Sequence, residues 1–407
     1  MQLFLLLVSA ASAAAQDLTL NQAIEGFLSR SPLAEAEKEK VVAAQARLRQ
    51  SGAWTNPVLT YGQEGYRLGE QGSGFDQQEF LFGLSQEFEL GGKRGKRSEV
   101  AELELAEQEA RYDDFVRLKR LEISRLFVTA YYGLKQKEIA EESLEGYLKI
   151  CDLHRRRYEA GEVSGLAQIK LEADEIQYVV RTVQAERRLD EAWAELASMI
   201  GWAHPGLPGL RWDEPAQADL PAASELIGIA LEARPDYRAR RLAAQAAEKQ
   251  VELERASNVP NLTVAGGYKR DFGENSFFLG LQLPLPLWDR REGAIAARIS
   301  SSRREGMLSG WTRVWIGYEI TRAHDRVGRL KKAASRLDAR YGERLERLVN
   351  LTALNYEAGE AGILEYLDAL RVRRDTLLER MELLEELSLA ELELEAAIGR
   401  PVYGVRP

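Results

Sequence analysis

Between residues 79 and 90 apolar and polar side chains alternate. Phe80, Phe82, Leu84, Phe88 and Leu90 fall on one side, with Gln86 as the exception, and Glu79, Gly83, Ser85, Glu87 and Glu89 fall on the other. The pattern returns further along: Phe277, Leu279, Leu281, Leu283 and Leu285 oppose Gly280, Gln282 and Pro284. A period of two predicts strands. Weaker runs precede each, Leu59 and Tyr61 in one case and Leu262, Val264 and Tyr268 in the other, and they predict the partner strands of two hairpins. Gly72-Ser73-Gly74 and Gly273-Glu274-Asn275 supply the loops. A strand of about ten residues that is apolar on one side only suits a membrane crossing, with lipid on one side and water on the other. A half-buried sheet on a soluble core shows the same alternation.

The other segments have helical spacing. Residues 92–159 and 290–357 contain no proline and are charged and aliphatic throughout; at 1.5 Å per residue each helix would reach roughly 100 Å. Shorter helices are predicted over about 18–52, 166–199, 222–257 and 363–398. Leu166, Ile169, Ala173, Ile176, Val180 and Val183 recur at coiled-coil spacing. Leu377, Met381 and Leu384 keep it in the last helix, where Arg371 and Arg374 interrupt it.

These elements occur in the same order twice. Tyr158-Glu159-Ala160-Gly161 recurs 198 residues later as Tyr356-Glu357-Ala358-Gly359, and Ile200-Gly201 as Ile398-Gly399. Ser31-Pro32 corresponds to Arg234-Pro235, Asn56-Pro57-Val58-Leu59-Thr60 to Val259-Pro260-Asn261-Leu262-Thr263, and Phe82-Gly83-Leu84 to Leu279-Gly280-Leu281. One large unit used twice is expected, over 17–201 and 222–399, joined by a Pro-, Gly- and Trp-containing connector at 202–221 and followed by a tail at 400–407. Residues 1–16 read as a signal peptide: Leu3–Val8 is apolar, small residues follow through Ala15, and no Lys or Arg precedes them. The apolar run is too short to span a membrane.

A formal charge of −9 from well-mixed acidic and basic residues argues against a nucleic-acid partner. Cys151 is the sole cysteine, so no internal disulfide forms. If the strands lie in a membrane, four cannot close a barrel, because barrels begin at about eight strands and lipid forbids an open edge. Several chains must then share one barrel, joined by contacts that close a ring.

With two hairpins inserted at matching points of two helical repeats, the Tyr-Glu-Ala-Gly turns and the Ile-Gly at each repeat's end, the chain resembles the TolC-type outer-membrane efflux channel family over nearly its whole length. Leu90-Gly91-Gly92-Lys93-Arg94 after a strand resembles the heavy-metal, cobalt–zinc–cadmium type branch. The resemblance implies a mainly α fold with a small β part: a long antiparallel α-helical barrel continuing into a trimeric 12-stranded transmembrane β-barrel, four strands per chain. It implies a homotrimer in the outer membrane that extends into the periplasm and docks on a periplasmic adaptor and an inner-membrane transporter, as the exit duct of a tripartite pump, with heavy-metal cations as cargo. A type I protein secretion duct and, in another class, a soluble periplasmic coiled-coil scaffold are the alternatives.

Site expectations follow. Phe80, Phe82, Leu84, Phe88, Phe277, Leu279, Leu281 and Leu283 face lipid. Lys93, Arg94, Lys96 and Arg97, with Trp288, Arg290 and Arg291 in the second repeat, are placed at lipid headgroups or on an ordinary solvated turn. The run Gly91–Ser98 fails as a phosphate loop, since its glycines are one residue too close and Arg97 follows the lysine. By resemblance, Glu365 and Asp368, three residues apart on one helix face, ring the aperture with Tyr356; the first repeat has Ala167 and Lys170 there, and Ala167 and Ala361 stand where a family member links its tips through Asp and Arg. Tyr158, Gly161, Glu162, Gly359 and Glu360 form the adaptor-docking turns. His154, His204 and His324 have no metal-ligand spacing, and no catalytic constellation, cofactor or metal site is expected.

Overall fold

The computed structural model describes residues 17–65, 78–202, 206–212, 219–271, 273–337 and 340–401. The signal-peptide segment 1–16, the Gly72-Ser73-Gly74 loop and most of the 400–407 tail lie outside the described residues.

The chain begins with β1 (Leu18–Thr19), α1 (Leu20–Arg30) and α2 (Pro32–Ser51), followed by β2 (Val58–Glu64), β3 (Glu79–Phe88), α3 (Lys93–Glu159) and α4 (Gly165–Ile200). After β4 (Leu210–Arg211) come α5 (Ala223–Ala233), α6 (Pro235–Ala256), β5 (Leu262–Asp271), β6 (Glu274–Gln282), α7 (Glu292–Arg336), α8 (Arg340–Glu357) and α9 (Ile363–Ile398).

Four expectations about elements change. The helices predicted over 18–52 and 222–257 are each broken once, at Ser31-Pro32 and Arg234-Pro235. A residue before proline is pushed out of the helical region by the ring, and Ser31 and Arg234 are both extended, with ψ of 121° and 120°. The long helix predicted over 290–357 divides into α7 and α8, and α7 closes on a tight bond from the Leu337 N–H to the Ala334 carbonyl. No proline marks that place, and Gly342, in the first turn of α8, is too weak a signal inside a helical pattern to have shown it. The second hairpin is tighter than its predicted loop: Asp271 pairs with Glu274, and Gly273 holds φ at 85°. Lastly, the connector is not mere linkage. Leu210–Arg211 pairs in parallel with Leu18–Thr19, and Leu210 and Trp212 are buried. α3 runs unbroken for 67 residues, roughly 100 Å at 1.5 Å per residue.

The residues form two compact units. The first comprises 17–36, 115–234 and 316–401. Its larger core gathers Phe27, Ile123, Phe127, Tyr132, Leu196, Ile200 and Trp212. A second cluster unites Tyr147, Ile150, Leu171, Tyr178, Tyr356, Ile363 and Leu367. On α4 the buried row is Leu171, Tyr178, Leu189, Leu196 and Ile200, whereas the row that carries the coiled-coil spacing, Leu166, Ile169, Ile176, Val180 and Val183, stands exposed. One face of α4 thus packs on its own chain, and the other is exposed among the described residues. The two arginines that interrupt the heptads of α9 are accommodated by charge: Arg371 pairs with Asp174 at 3.1 Å, and buried Arg374 lies 4.5 Å from the Tyr178 ring and pairs with Asp375.

The second unit, 37–114 and 235–315, holds one antiparallel sheet in the order β2-β3-β5-β6. Its register aligns Tyr61, Phe82, Tyr268 and Phe277 in one cross-strand row and Leu59, Leu84, Gly266 and Leu279 in the next. α3 and α6 run together beneath it through Lys96–Glu252 and Lys249–Glu99 ion pairs, and α6 and α7 through Arg298–Glu254.

Candidate functional site

Cross-strand register puts most of the large apolar residues of the four strands on one face. Phe82, Leu84 and Phe88 of β3 and Phe277, Leu279, Leu281 and the following Leu283 are exposed there; Phe277 reaches 88%. Phe80 is half-buried on the same face. The opposite face carries Glu64, Glu79, Ser85, Glu87, Lys269 and Gln282. Leu81, opposite Gly62 and Lys269, and Phe278 are apolar residues that fall on the polar face, and of the two Phe278 has the clearer structural use. It lies on the polar face, over Gly83 and Gly267, where an added Cβ would stand 3.2 Å and 2.8 Å from its ring. An aromatic ring that covers cross-strand glycines shields backbone that has no side chain of its own. The adjacent Phe277-Phe278 pair, one residue per face, was the available signal. Strands of 10 and 9 residues, tilted about 45°, match a bilayer's hydrocarbon core. Among the described residues no strand pairs with the outer edge of β2 or β6.

At the foot of the sheet the basic cluster is largely spent inside the chain. Lys93 is 9% exposed and donates to Asn261 at 2.5 Å, and Asn261 in turn donates to Glu87. Arg94 stacks 4.2 Å over the Trp54 ring, Lys96 pairs with Glu252, and Arg97 forks onto both oxygens of Glu89. The Arg97 hydrogen bond holds the Glu89 carboxyl below the ordinary carboxylate range. Lys93 to Arg97 thus brace the strand-to-helix turn, with Gly91 and Gly92 at φ of 71° and 70° making the turn itself. Trp288 and Arg290 are exposed, Trp288 to 92%. Arg291, the one non-glycine described residue at positive φ, is tied to Asp289 and Glu254.

The helical unit ends in two turns that share the same paired bonds. The Glu162 N–H bonds to the Arg157 carbonyl at 2.9 Å and the Gly161 N–H to the Tyr158 carbonyl at 2.9 Å. The Glu360 N–H bonds to the Asn355 carbonyl at 2.8 Å and the Gly359 N–H to the Tyr356 carbonyl at 3.1 Å. This paired-bond helix stop needs a left-handed residue, and Gly161 and Gly359 hold φ of 81° and 77°. Both turns present an exposed glutamate, Glu162 and Glu360. Glu365 and Asp368 are exposed on the first two turns of α9, where the positive end of the helix dipole favours carboxylates.

Tyr356 does not join those carboxylates in solvent. It is 4% exposed, its hydroxyl lies 3.0 Å from Nδ1 of His154, and the Arg157 guanidinium sits 4.8 Å from its ring. His154 is itself buried, and its Nε2 has no hydrogen-bond partner. Burial, with the Arg157 charge beside it, lowers the His154 pKa from the ordinary 6.5. The sequence showed both residues, 202 positions apart, without showing that they meet. Cys151 is half-buried in the same cluster, and burial pushes its thiol up to about 11. No set of three or more metal-binding side chains occurs among the described residues, and no described helix is long and apolar enough to cross a membrane.

Comparison with known proteins places this arrangement. Residues 23–202 and 226–400 match the family described as outer membrane efflux protein. The chain is 28% identical over 297 residues to the nickel and cobalt resistance protein CnrC of Cupriavidus metallidurans, covering 72% of this chain and 70% of that one. It is 24% identical over 316 residues to the cobalt-zinc-cadmium resistance protein CzcC of the same organism, covering 77% and 75%. Among solved structures, VceC of Vibrio cholerae superposes with a TM-score of 0.76 at 19% identity, covering 94% of this chain and 96% of that one. The sheet with one greasy face and the two matched family segments, one for each repeat, agree: this chain belongs to the outer membrane efflux protein family.

Proposed function

We propose that three copies of this chain close one twelve-stranded barrel in the outer membrane and one helical tunnel in the periplasm, and that the assembly is the passive exit duct of a tripartite pump for heavy-metal cations. The observation that carries the reading is the sheet of the second unit: an apolar face left bare in the single chain, ending in two unpaired strand edges. In lipid each unpaired backbone group costs several kcal/mol, so the edges must meet other copies. The exposed Leu166–Val183 row of α4 supports the same conclusion for the helical unit, since a row at coiled-coil spacing seeks a partner helix.

The substrate class is supported by the resemblance to CnrC and CzcC, both named as metal resistance proteins. Glu365 and Asp368 would present three pairs of carboxylates at the aperture, which favours cations. Glu162 and Glu360, on the outside of the two turns, would meet the adaptor.

Outer-membrane fractions should contain a heat-modifiable oligomer of this chain. A monomer that is stable in detergent-free buffer overturns the duct. Replacing Glu365 and Asp368 by Ala should weaken block by multivalent cations in single-channel recordings, and unchanged block removes the carboxylate ring. Charge reversal at Glu162 and Glu360 should abolish pull-down of the adaptor; retained binding moves the docking site elsewhere.

A further inference from the structure

At the foot of β2 there is a cleft of about 500 Å³ between the end of α2 and the start of α3, lined by Arg47, Ala53, Trp54, Thr55, Glu89 and Arg97 among others. At the foot of β6, on the opposite edge of the sheet, the segment Leu283-Pro284-Leu285-Pro286-Leu287-Trp288 carries exposed Leu285, Leu287 and Trp288. Its two prolines restrict the backbone, which bends where the Leu287 N–H bonds to the Leu285 carbonyl at 2.9 Å, so these side chains are held out with little freedom to lose.

The chain contains a template for how two such feet meet. Inside one copy, the foot of β3 lies against the foot of β5. A Cβ on Gly91 would stand 3.0 Å from the Cβ of Val259 and 3.3 Å from the Ala256 carbonyl, and Lys93 bonds to Asn261. In the repeat, Leu84 corresponds to Leu281, so Gly91 corresponds to Trp288; Pro57 corresponds to Pro260, so Ala53 and Asn56 correspond to Ala256 and Val259. β6 runs down to Gln282 and β2 runs up from Val58, so pairing the outer edge of β6 with the outer edge of a second copy's β2 brings these two feet together. Where the junction within a copy has a glycine, the junction between copies has a tryptophan.

We propose that Trp288 is the key of the junction between copies: its indole seats against Ala53–Asn56 of a second copy and fills the cleft beside Trp54, instead of resting among lipid headgroups. This deepens the shared-barrel reading and depends on it. A buried indole supplies 150–250 Å² of contact and a large share of an interface's energy, and Trp288 is the most exposed of the large apolar side chains in the described chain.

The test is cysteine cross-linking in outer membranes, in a Cys151→Ser background, with a Cu(II) oxidant. The Trp288→Cys/Asn56→Cys double variant should form covalent multimers on a non-reducing gel, while neither single variant does. A second pair, Leu281→Cys/Gln63→Cys, lies opposite across the two sheet edges by the same repeat correspondence, and it reports ring closure alone. Links from the edge pair without links from the Trp288 pair overturn the key and leave the ring standing, and a headgroup location for Trp288 gives that result. No links from either pair overturns the ring as well. The Trp288→Ala variant adds a second readout: its oligomer should dissociate at a lower temperature than the parent while helical content is unchanged. An unaltered dissociation temperature counts against the key.

Discussion

The two Tyr-Glu-Ala-Gly turns have one sequence, one pattern of hydrogen bonds and one glycine conformation, yet their tyrosines live in different worlds. Tyr158 is 46% exposed, with its ring over Gly165, where an added Cβ would lie 3.4 Å away. Tyr356 is buried between His154 and Arg157, both supplied by the other repeat. The backbone of a turn is thus set by its own four or five residues, but the role of a side chain on it is set by what the long-range packing brings alongside. In this chain α3 provides two side chains to the second turn, and nothing comparable reaches the first. The tyrosine of the second turn is anchored across the repeats and that of the first is half exposed. If one of them yields first when a partner engages, the contrast selects the first.

The comparison can be broken most strongly by truncation. Tyr356→Ala should cost about 3–5 kcal/mol, as for other buried aromatic residues, whereas Tyr158→Ala should cost under about 1 kcal/mol. Thermal unfolding of the two variants measures the gap, and equal losses would erase the distinction. Next is pH. A histidine whose folded pKa is depressed stabilises the fold above its unfolded value and loses that contribution as pH falls through the folded value. For His154 the unfolded value is near 6.5, so acidification below it should loosen the second turn, because an imidazolium would be forced into a buried site beside Arg157. Protection factors of the amides at the second turn, with the intrinsic pH dependence of exchange divided out, should fall as pH drops from about 7.5 to about 5 while those of the first turn stay constant, and His154→Gln should flatten the dependence. A smaller effect is expected from Tyr356→Phe, which removes only the hydroxyl facing His154; about 1 kcal/mol is the usual net worth of such a bond, and Tyr158→Phe should be neutral by the same melting measurement. Smallest of all should be the difference between Gly161→Ala and Gly359→Ala. Both glycines stand at positive φ with open space around them, so each substitution should cost about 1–2 kcal/mol and the two melting curves should shift alike.

Much of the site was legible beforehand because it depends on short-range rules. The alternation of Phe82, Leu84, Phe277, Leu279 and Leu281 fixes which strand face is greasy, whatever the sheet packs against, since a period of two leaves no choice. The glycine of each turn was legible because only a left-handed residue closes such a helix end. The basic turn was read less well: Lys93, Arg94, Lys96 and Arg97 look like an outward patch in sequence, but their partners Asn261, Trp54, Glu252 and Glu89 lie up to 168 residues away. The Ser31-Pro32 and Arg234-Pro235 breaks were visible as a repeated pair, and the proline rule alone could have located them.

From the residue order come the two repeats, the four amphipathic strands, the helix-stopping glycines and the family, because each follows from periodicity or from the conformational limits of a few neighbouring residues. The fold in three dimensions decided that Tyr356 is buried and Tyr158 is not, that Lys93 braces a turn, that Phe278 covers the bare backbone of Gly83 and Gly267, and that Trp288 stands exposed among the described residues. Those outcomes depend on which distant side chains arrive within a few ångströms. Packing brings together positions that no local rule relates, so only the assembled structure could disclose them.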